Sequence, residues 1–242
     1  MHERCDILII GAGPAGMAAA LAAAPSGAAI TVVDDNPQPG GQIWRDGPQV
    51  ALPPLAQQHR ADLARHPNIR VLTGTRVVGL GASQPTDKAP ALLLEDADRG
   101  WTQHSHRIIL CTGARELLLP FPGWTLPGVT GAGALQALIK AGLDVRGQRI
   151  VIAGTGPLLM ATAATATQAG ARVVRIAEQA SWAALAGFAA QLPRWPAKAL
   201  QALTLIHPGL RAGTHVLEAQ GTTQVQSVRL RKGTGGAETL AC

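Results

Sequence analysis

Apolar and polar positions run twice along this chain through the same series of strand, glycine turn, helix and strand. Residues 7–10 (Ile-Leu-Ile-Ile) form an unbroken apolar run, as expected of a strand buried on both faces of a parallel sheet. The Ala-rich stretch 14–24 predicts the helix that follows, and 29–33 predicts a second strand, ending at Asp34 and Asp35. Pro and Gly then interrupt the pattern over 36–45 (Asn-Pro-Gln-Pro-Gly-Gly-Gln-Ile-Trp-Arg), which predicts an irregular loop. A helix over 54–65 and a strand over 70–73 come next. Short β-like runs at 76–80, 91–95 and 101–106, with turn residues between them, predict a small antiparallel meander. Residues 107–111 predict another apolar strand, running into Thr112, Gly113 and Ala114. The Pro- and Gly-dense segment 120–128 reads as the crossing between two domains, 1–120 and 121–242. Beyond it the pattern restarts with a strand over 149–153, a helix over 157–169 and a strand over 172–177.

The first turn, Gly-Ala-Gly-Pro-Ala-Gly (11–16), has the spacing of a dinucleotide fingerprint. Gly11 allows the tight turn, Gly13 lets backbone approach a pyrophosphate, and Gly16 lets the helix pack on the strand. Pro14 and Ala15 open a helix whose N-terminal amides would face the phosphates. Asp34 follows Gly11 by 23 positions, close to the spacing that puts a carboxylate on a ribose hydroxyl. The second turn keeps Gly154 and Gly156, followed by Pro157 and Leu158, and Glu178 comes 24 positions after Gly154. Leu159 stands where the third glycine would be, so helix and strand must pack further apart, and a degenerate copy that binds nothing stays open. Glu178 favours an unphosphorylated ribose, while Arg172 and Arg175 nearby keep NADP open.

Composition narrows the function classes. At 242 residues, 47% hydrophobic and 15% charged, the chain can bury a real core. A formal charge of +6 invites a nucleic-acid reading, but the basic residues are scattered, and two Phe, five Trp and no Tyr leave little for base stacking. A basic surface facing solvent or an acidic partner explains the charge better. Residues 7–24 carry no charge, yet Glu3 and Asp6 spoil a basic leader and the glycine turn splits the apolar run. Neither a secretion signal nor a transmembrane helix is expected, which makes the cytoplasm the default location and leaves peripheral membrane association open. Cys5, Cys111 and Cys242 lack paired spacing and read as reduced thiols, without the CxxC of a disulfide-reducing flavoenzyme. His104 and His106 alternate on one strand and are expected to face solvent, because two histidines do not make a metal site. With no nucleophile elbow or metal set, no catalytic residue is assigned, and the chemistry would belong to a cofactor. Arg45, Arg115 and Glu116 are candidates for tuning it or meeting a partner.

Several strings together resemble a known group. Gly-Gly-Gln-Ile-Trp-Arg (40–45), Thr-Gly-Ala-Arg-Glu (112–116) and Pro-Phe-Pro-Gly-Trp-Thr-Leu-Pro-Gly-Val (120–129), set between the two glycine turns, resemble the two-dinucleotide flavoprotein reductases. They are most similar to the α subunits of heteromeric dye-linked dehydrogenases: opine oxidase, hydroxyproline or proline dehydrogenase, and hydrogen cyanide synthase. The resemblance covers nearly the whole chain and implies an α/β fold with two Rossmann-like, three-layer dinucleotide-binding domains and a small meander, as in glutathione reductase. It implies FAD on Gly11, Gly13, Ala15 and Gly16, with Asp34 or Asp35 on the adenosine ribose and Gly41 and Gln42 toward the flavin. Backbone near Val77 would meet the adenine, and Thr112, Gly113 and Ala114 would close over the cofactor. NAD(P) or another adenine nucleotide is implied at the second turn.

The same resemblance implies a hetero-oligomer in which a FAD-dependent partner oxidises an amino acid, imino acid or opine. A free-standing NAD(P)H-dependent flavin reductase and a catalytically silent nucleotide-binding scaffold are the alternatives. In the two-dinucleotide flavoproteins the chain returns after the inserted domain with a Gly-Asp motif that completes the FAD site. Here the sequence stops near that point, so the FAD domain is expected to be incomplete and to bind FAD weakly or not at all by itself.

Overall fold

The apolar run at 7–10 lies in β1 (His2–Ile10), whose Leu8 and Ile9 expose no surface. The computed structural model describes residues 2–48, 50–81, 90–204 and 207–242, and divides into two compact units, Met1–Arg115 and Glu116–Cys242. In the first unit β1 is followed by α1 (Pro14–Ala23), β2 (Ile30–Val33), α2 (Pro54–Arg65), β3 (Ile69–Leu72), β4 (Arg76–Leu80), β5 (Ala91–Glu95) and β6 (Gly100–Leu110). One six-stranded sheet runs β3-β2-β1-β6-β5-β4, parallel from β3 to β6 and antiparallel from β6 to β4. Because successive strand residues point to opposite faces, Ile9 packs with Met17, Ala20 and Leu63 on one side, while Leu8 packs with Val33, Leu92, Leu94 and Trp101 on the other. Each such large apolar side chain contributes about 1.5–3 kcal/mol when fully buried.

The structure corrects the reading of 101–106 and 107–111 as separate strands. They are one strand, β6, paired in parallel with β1 from Thr102 to Leu110 and antiparallel with β5 from Gly100 to His104. The meander is therefore part of the main sheet. Most of the turn between β4 and β5 lies outside the described residues. His104 is also corrected: flanked by β1 and β5, it is 5% exposed, together with buried Gln103 and Ser105. His106 does face solvent, with Nδ1 3.2 Å from Asp6 Oδ1.

The second unit contains α3 (Ala132–Lys140), β7 (Arg149–Gly154), α4 (Leu158–Gln168), β8 (Arg172–Glu178), α5 (Trp182–Ala189), α6 (Pro196–Thr204), β9 (Leu210–Ala212), β10 (Thr214–Gln220), β11 (Ser227–Lys232) and β12 (Ala237–Ala241). Strands β7-β8-β9 form a parallel sheet and β10-β11-β12 an antiparallel one. Ile152 and Ile176 pack with Leu159 and Ala163 of α4, while Val151, Ala153 and Ala177 pack with Val228 and Leu230. Helix, parallel sheet and antiparallel sheet thus make three layers.

Candidate functional site

The first glycine turn joins β1 to α1, with Gly13 as the N-cap. Gly11 has φ +100°, and a side chain there would strike the Cys111 carbonyl, so both backbone and packing demand glycine. At Gly16 a methyl would fall on the Gly11 carbonyl oxygen, which shows how closely α1 lies on the turn. Gly13 differs: its φ is −70°, and the nearest atom to an added Cβ is the Gly41 Cα at 3.9 Å. Neither strain nor crowding explains the missing side chain, and the room it leaves lies at a helix start. Met17 N–H donates to the Gly13 carbonyl at 3.0 Å, so the Ala15 and Gly16 amides ahead of it are the orphan donors of the first turn, and Pro14 has none to offer.

Asp34, 6% exposed at the end of β2, latches this turn. Its Oδ2 accepts from the Ala12 amide at 2.6 Å, and its Oδ1 accepts from the Asn36 amide at 2.8 Å and Asn36 Nδ2 at 2.7 Å. A carboxylate offers about four lone-pair sites, so these three bonds leave Oδ2 able to take one more donor, such as a ribose hydroxyl. Asp35 is exposed and meets Asn36 Nδ2 at 3.0 Å.

The Gly-Gly-Gln loop folds onto the turn. Gly40 N–H donates to the Ala12 carbonyl at 2.8 Å, and Gly41 is so close that a Cβ on it would lie 3.1 Å from the Gly13 Cα. Arg45 bridges Asn36 Oδ1, 3.0 Å from Nη2, and Gln42 Oε1, 3.2 Å from Nε. Hydrogen bonds therefore run without a break from the Ala12 amide through Asp34, Asn36 and Arg45 to Gln42. The turn after β3 joins in, with Gly74 N–H on the Asn36 carbonyl at 3.0 Å and Thr75 N–H on the Asp34 carbonyl at 2.9 Å. Val77 is two residues further on, in β4, where it is 36% exposed and paired with Leu94. Thr112, Gly113 and Ala114 leave β6 exposed, next to Cys111, whose amide donates to the Ile10 carbonyl at 2.8 Å. Burial raises the Cys111 thiol above its ordinary pKa, so it is no ready nucleophile.

Sequence reasoning missed Asn36, Arg60 and Thr75. Asn36 directly follows the two acids and could have been read as a turn-forming side chain that caps its neighbours' backbone. Arg60 gave no local signal, since its backbone acceptor on Pro39 is 21 residues away.

The second turn repeats the latch. Glu178, 3% exposed at the end of β8, accepts from Thr155 Oγ1 at 2.8 Å, the Gly156 amide at 2.9 Å and the Ala180 amide at 2.8 Å. Gly154 ends β7, Gly156 has φ +100°, Pro157 is the N-cap of α4, and Leu158 opens the helix 39% exposed. Leu159 is buried against Ile152 and Ile176, and its amide donates to the Gly156 carbonyl at 3.2 Å. The amide that corresponds to Gly16 is thus already bonded here. Among the described residues no group of three potential metal ligands occurs, and no helix is long and apolar enough to cross a membrane.

A protein-family model described as pyridine nucleotide-disulphide oxidoreductase matches residues 5–240. The chain belongs to this family. Within the pyridine nucleotide-disulphide oxidoreductases it is 33% identical over 235 residues to an opine oxidase subunit of Rhizobium meliloti (strain 1021), a match spanning 92% of this chain and 50% of the relative. It is 37% identical over 232 residues to hydrogen cyanide synthase subunit HcnB of Pseudomonas protegens, over 88% of this chain and 48% of the relative. The chain spans about half the length of these curated relatives. Thioredoxin reductase of T. acidophilum shares the fold, with a TM-score of 0.68 at 19% identity, over 99% of this chain and 74% of that one.

Proposed function

We propose that the chain is the FAD-binding, α-type electron-transfer component of a heteromeric dehydrogenase acting on an amino acid, imino acid or opine. FAD would lie on residues 1–120, and NAD(P) or another adenine nucleotide on 121–242. The observation that carries the reading is Gly13, a glycine that neither backbone nor packing requires, standing before free helix amides and opposite Gly41. That cradle fits a pyrophosphate, because an α-helix start favours anions and a side chain would fill the space.

Gly11, Gly13, Pro14, Ala15 and Gly16 would hold the pyrophosphate, with Asp34 on the ribose, while Gly41 and Gln42 would orient the flavin side. Bound FAD supplies acceptance of two electrons from a donor and their onward delivery. The protein's part is to position it and exclude water. Gly154, Gly156, Pro157, Leu158 and Glu178 would serve the second nucleotide. Relatives whose names mark them as subunits support the heteromer, with substrate oxidation in a partner. The test is dye reduction by the purified protein with proline, hydroxyproline or octopine as donor, with and without the product of an adjacent reading frame. Reduction that requires both chains is expected, whereas NADH oxidation by this protein without a partner would favour a free-standing flavin reductase.

A further inference from the structure

We propose that Arg60 is a positioning residue that clamps the Gly-Gly-Gln loop onto the glycine turn and thereby preorganises the FAD cradle; this rests on the FAD reading above. Residues 36–46 contain no helix or strand, so their order depends on bonds from outside the loop. Beside the backbone bonds of Gly40 to Ala12 and of Gly74 to Asn36, Arg60 supplies three of them from α2. Its Nη2 donates to the Pro39 carbonyl and, at 3.4 Å, to the Trp44 carbonyl, and its Nη1 meets Asp46 Oδ2 at 2.9 Å. The fork thus grips the loop at both ends of the Gly40–Ile43 turn. A planar guanidinium presents its donors in a fixed fork that spans two carbonyls and a carboxylate, whereas a lysine ammonium offers three donors from a single point.

The neighbouring His59 meets the Trp44 ring edge-on, with ring centroids 5.4 Å apart, so α2 holds the same loop residue by ring and by backbone. The inner end of the loop is what faces the ligand, through Gly40 on Ala12 and Gly41 on Gly13. Helix α2 is anchored separately by Ala56 and Leu63, 0% and 4% exposed, so losing the Arg60 head group leaves the helix seated. The Asp46 side chain is 45% exposed, which makes its ion pair the minor part of the clamp.

The test compares the full chain with Arg60→Met, Arg60→Lys and Asp46→Asn. Three quantities are read: the FAD dissociation constant from flavin fluorescence, the rate of chymotryptic cleavage after Trp44 without FAD, and Tm. Arg60→Met is expected to raise the dissociation constant and the cleavage rate each about tenfold, since the loop must then be ordered on binding. Tm should move by only a few degrees, with Arg60→Lys intermediate and Asp46→Asn close to wild type. Unchanged cleavage in Arg60→Met overturns the clamp, and so does equal acceleration at every site with a collapsed Tm. If the unaltered chain binds no FAD, the cofactor role of the clamp fails for this chain by itself, and faster cleavage after Trp44 in Arg60→Met would then show a loop clamp without it.

Discussion

The two glycine turns share one latch and differ in what stands around it. In each, the acid that ends the second strand, Asp34 or Glu178, accepts a backbone N–H from its own turn, Ala12 or Gly156. The first turn has glycine at its third position, a helix too close to admit a methyl there, orphan amides at the helix start and a second glycine pair folded opposite. The second has Leu159 wedged between helix and strand, its amide already bonded, and nothing within 4 Å of a Cβ on Gly156. The lesson is that the acid latch builds a Rossmann turn whether or not a ligand follows, whereas an open cradle needs the third glycine and an opposing wall. The first unit has both.

The sharpest way to break this comparison is through the third position. Leu159→Ala is expected to cost about 2–5 kcal/mol by emptying a buried site between α4 and β7, and Gly16→Ala about 1–3 kcal/mol by overpacking. Both are read from denaturant unfolding. If Leu159→Ala proves neutral, α4 can collapse onto its turn and the two sites are more alike than described. The acids come next. Asp34→Asn should weaken FAD binding about tenfold, the size of one charge-assisted hydrogen bond, and Glu178→Gln should leave it unchanged in the same titration. An equal loss in both variants would merge the two roles.

The smallest expected effect is in the thiols. Burial raises the pKa of Cys5 and Cys111 above the ordinary 9.0, so the folded state favours the neutral form. Their contribution to stability is whole below pH 9.0 and is lost as pH rises through the raised folded values. Alkylation by iodoacetamide at pH 8 should accordingly be slower than for a free cysteine, and a burst of modification at Cys111 would refute its placement beside the turn.

The repeated strand, turn, helix and acid could be read directly from the sequence because each is specified locally, by apolar runs, glycines and spacing. What could not be read depends on neighbours far along the chain. His104 looks like a solvent-facing strand residue, yet β1 on one side and β5 on the other bury it within β6, while His106, beyond the end of the β5 pairing, stays exposed. The meander β10-β11-β12 shows period-two alternation in 227–232 (Ser-Val-Arg-Leu-Arg-Lys) and was open to the same reasoning. Arg60 is visible only when α2 is packed, because a guanidinium at the surface of a predicted helix is ordinarily solvated. Sequence reasoning named the residues proposed to cradle FAD, and the fold supplied the bonds that hold that turn and its facing loop together.

The central claim is that the first turn is the FAD site and the second is not. A single FAD titration of three proteins tests it: the unaltered chain, Gly13→Asp and Leu158→Asp. Either substitution adds a carboxylate at a helix start, which favours the helix by its dipole and so spares the fold. Gly13→Asp is expected to weaken FAD binding about 100-fold by placing a negative charge in the pyrophosphate cradle, while Leu158→Asp leaves FAD affinity as it was. FAD binding lost in Leu158→Asp and kept in Gly13→Asp would contradict the account.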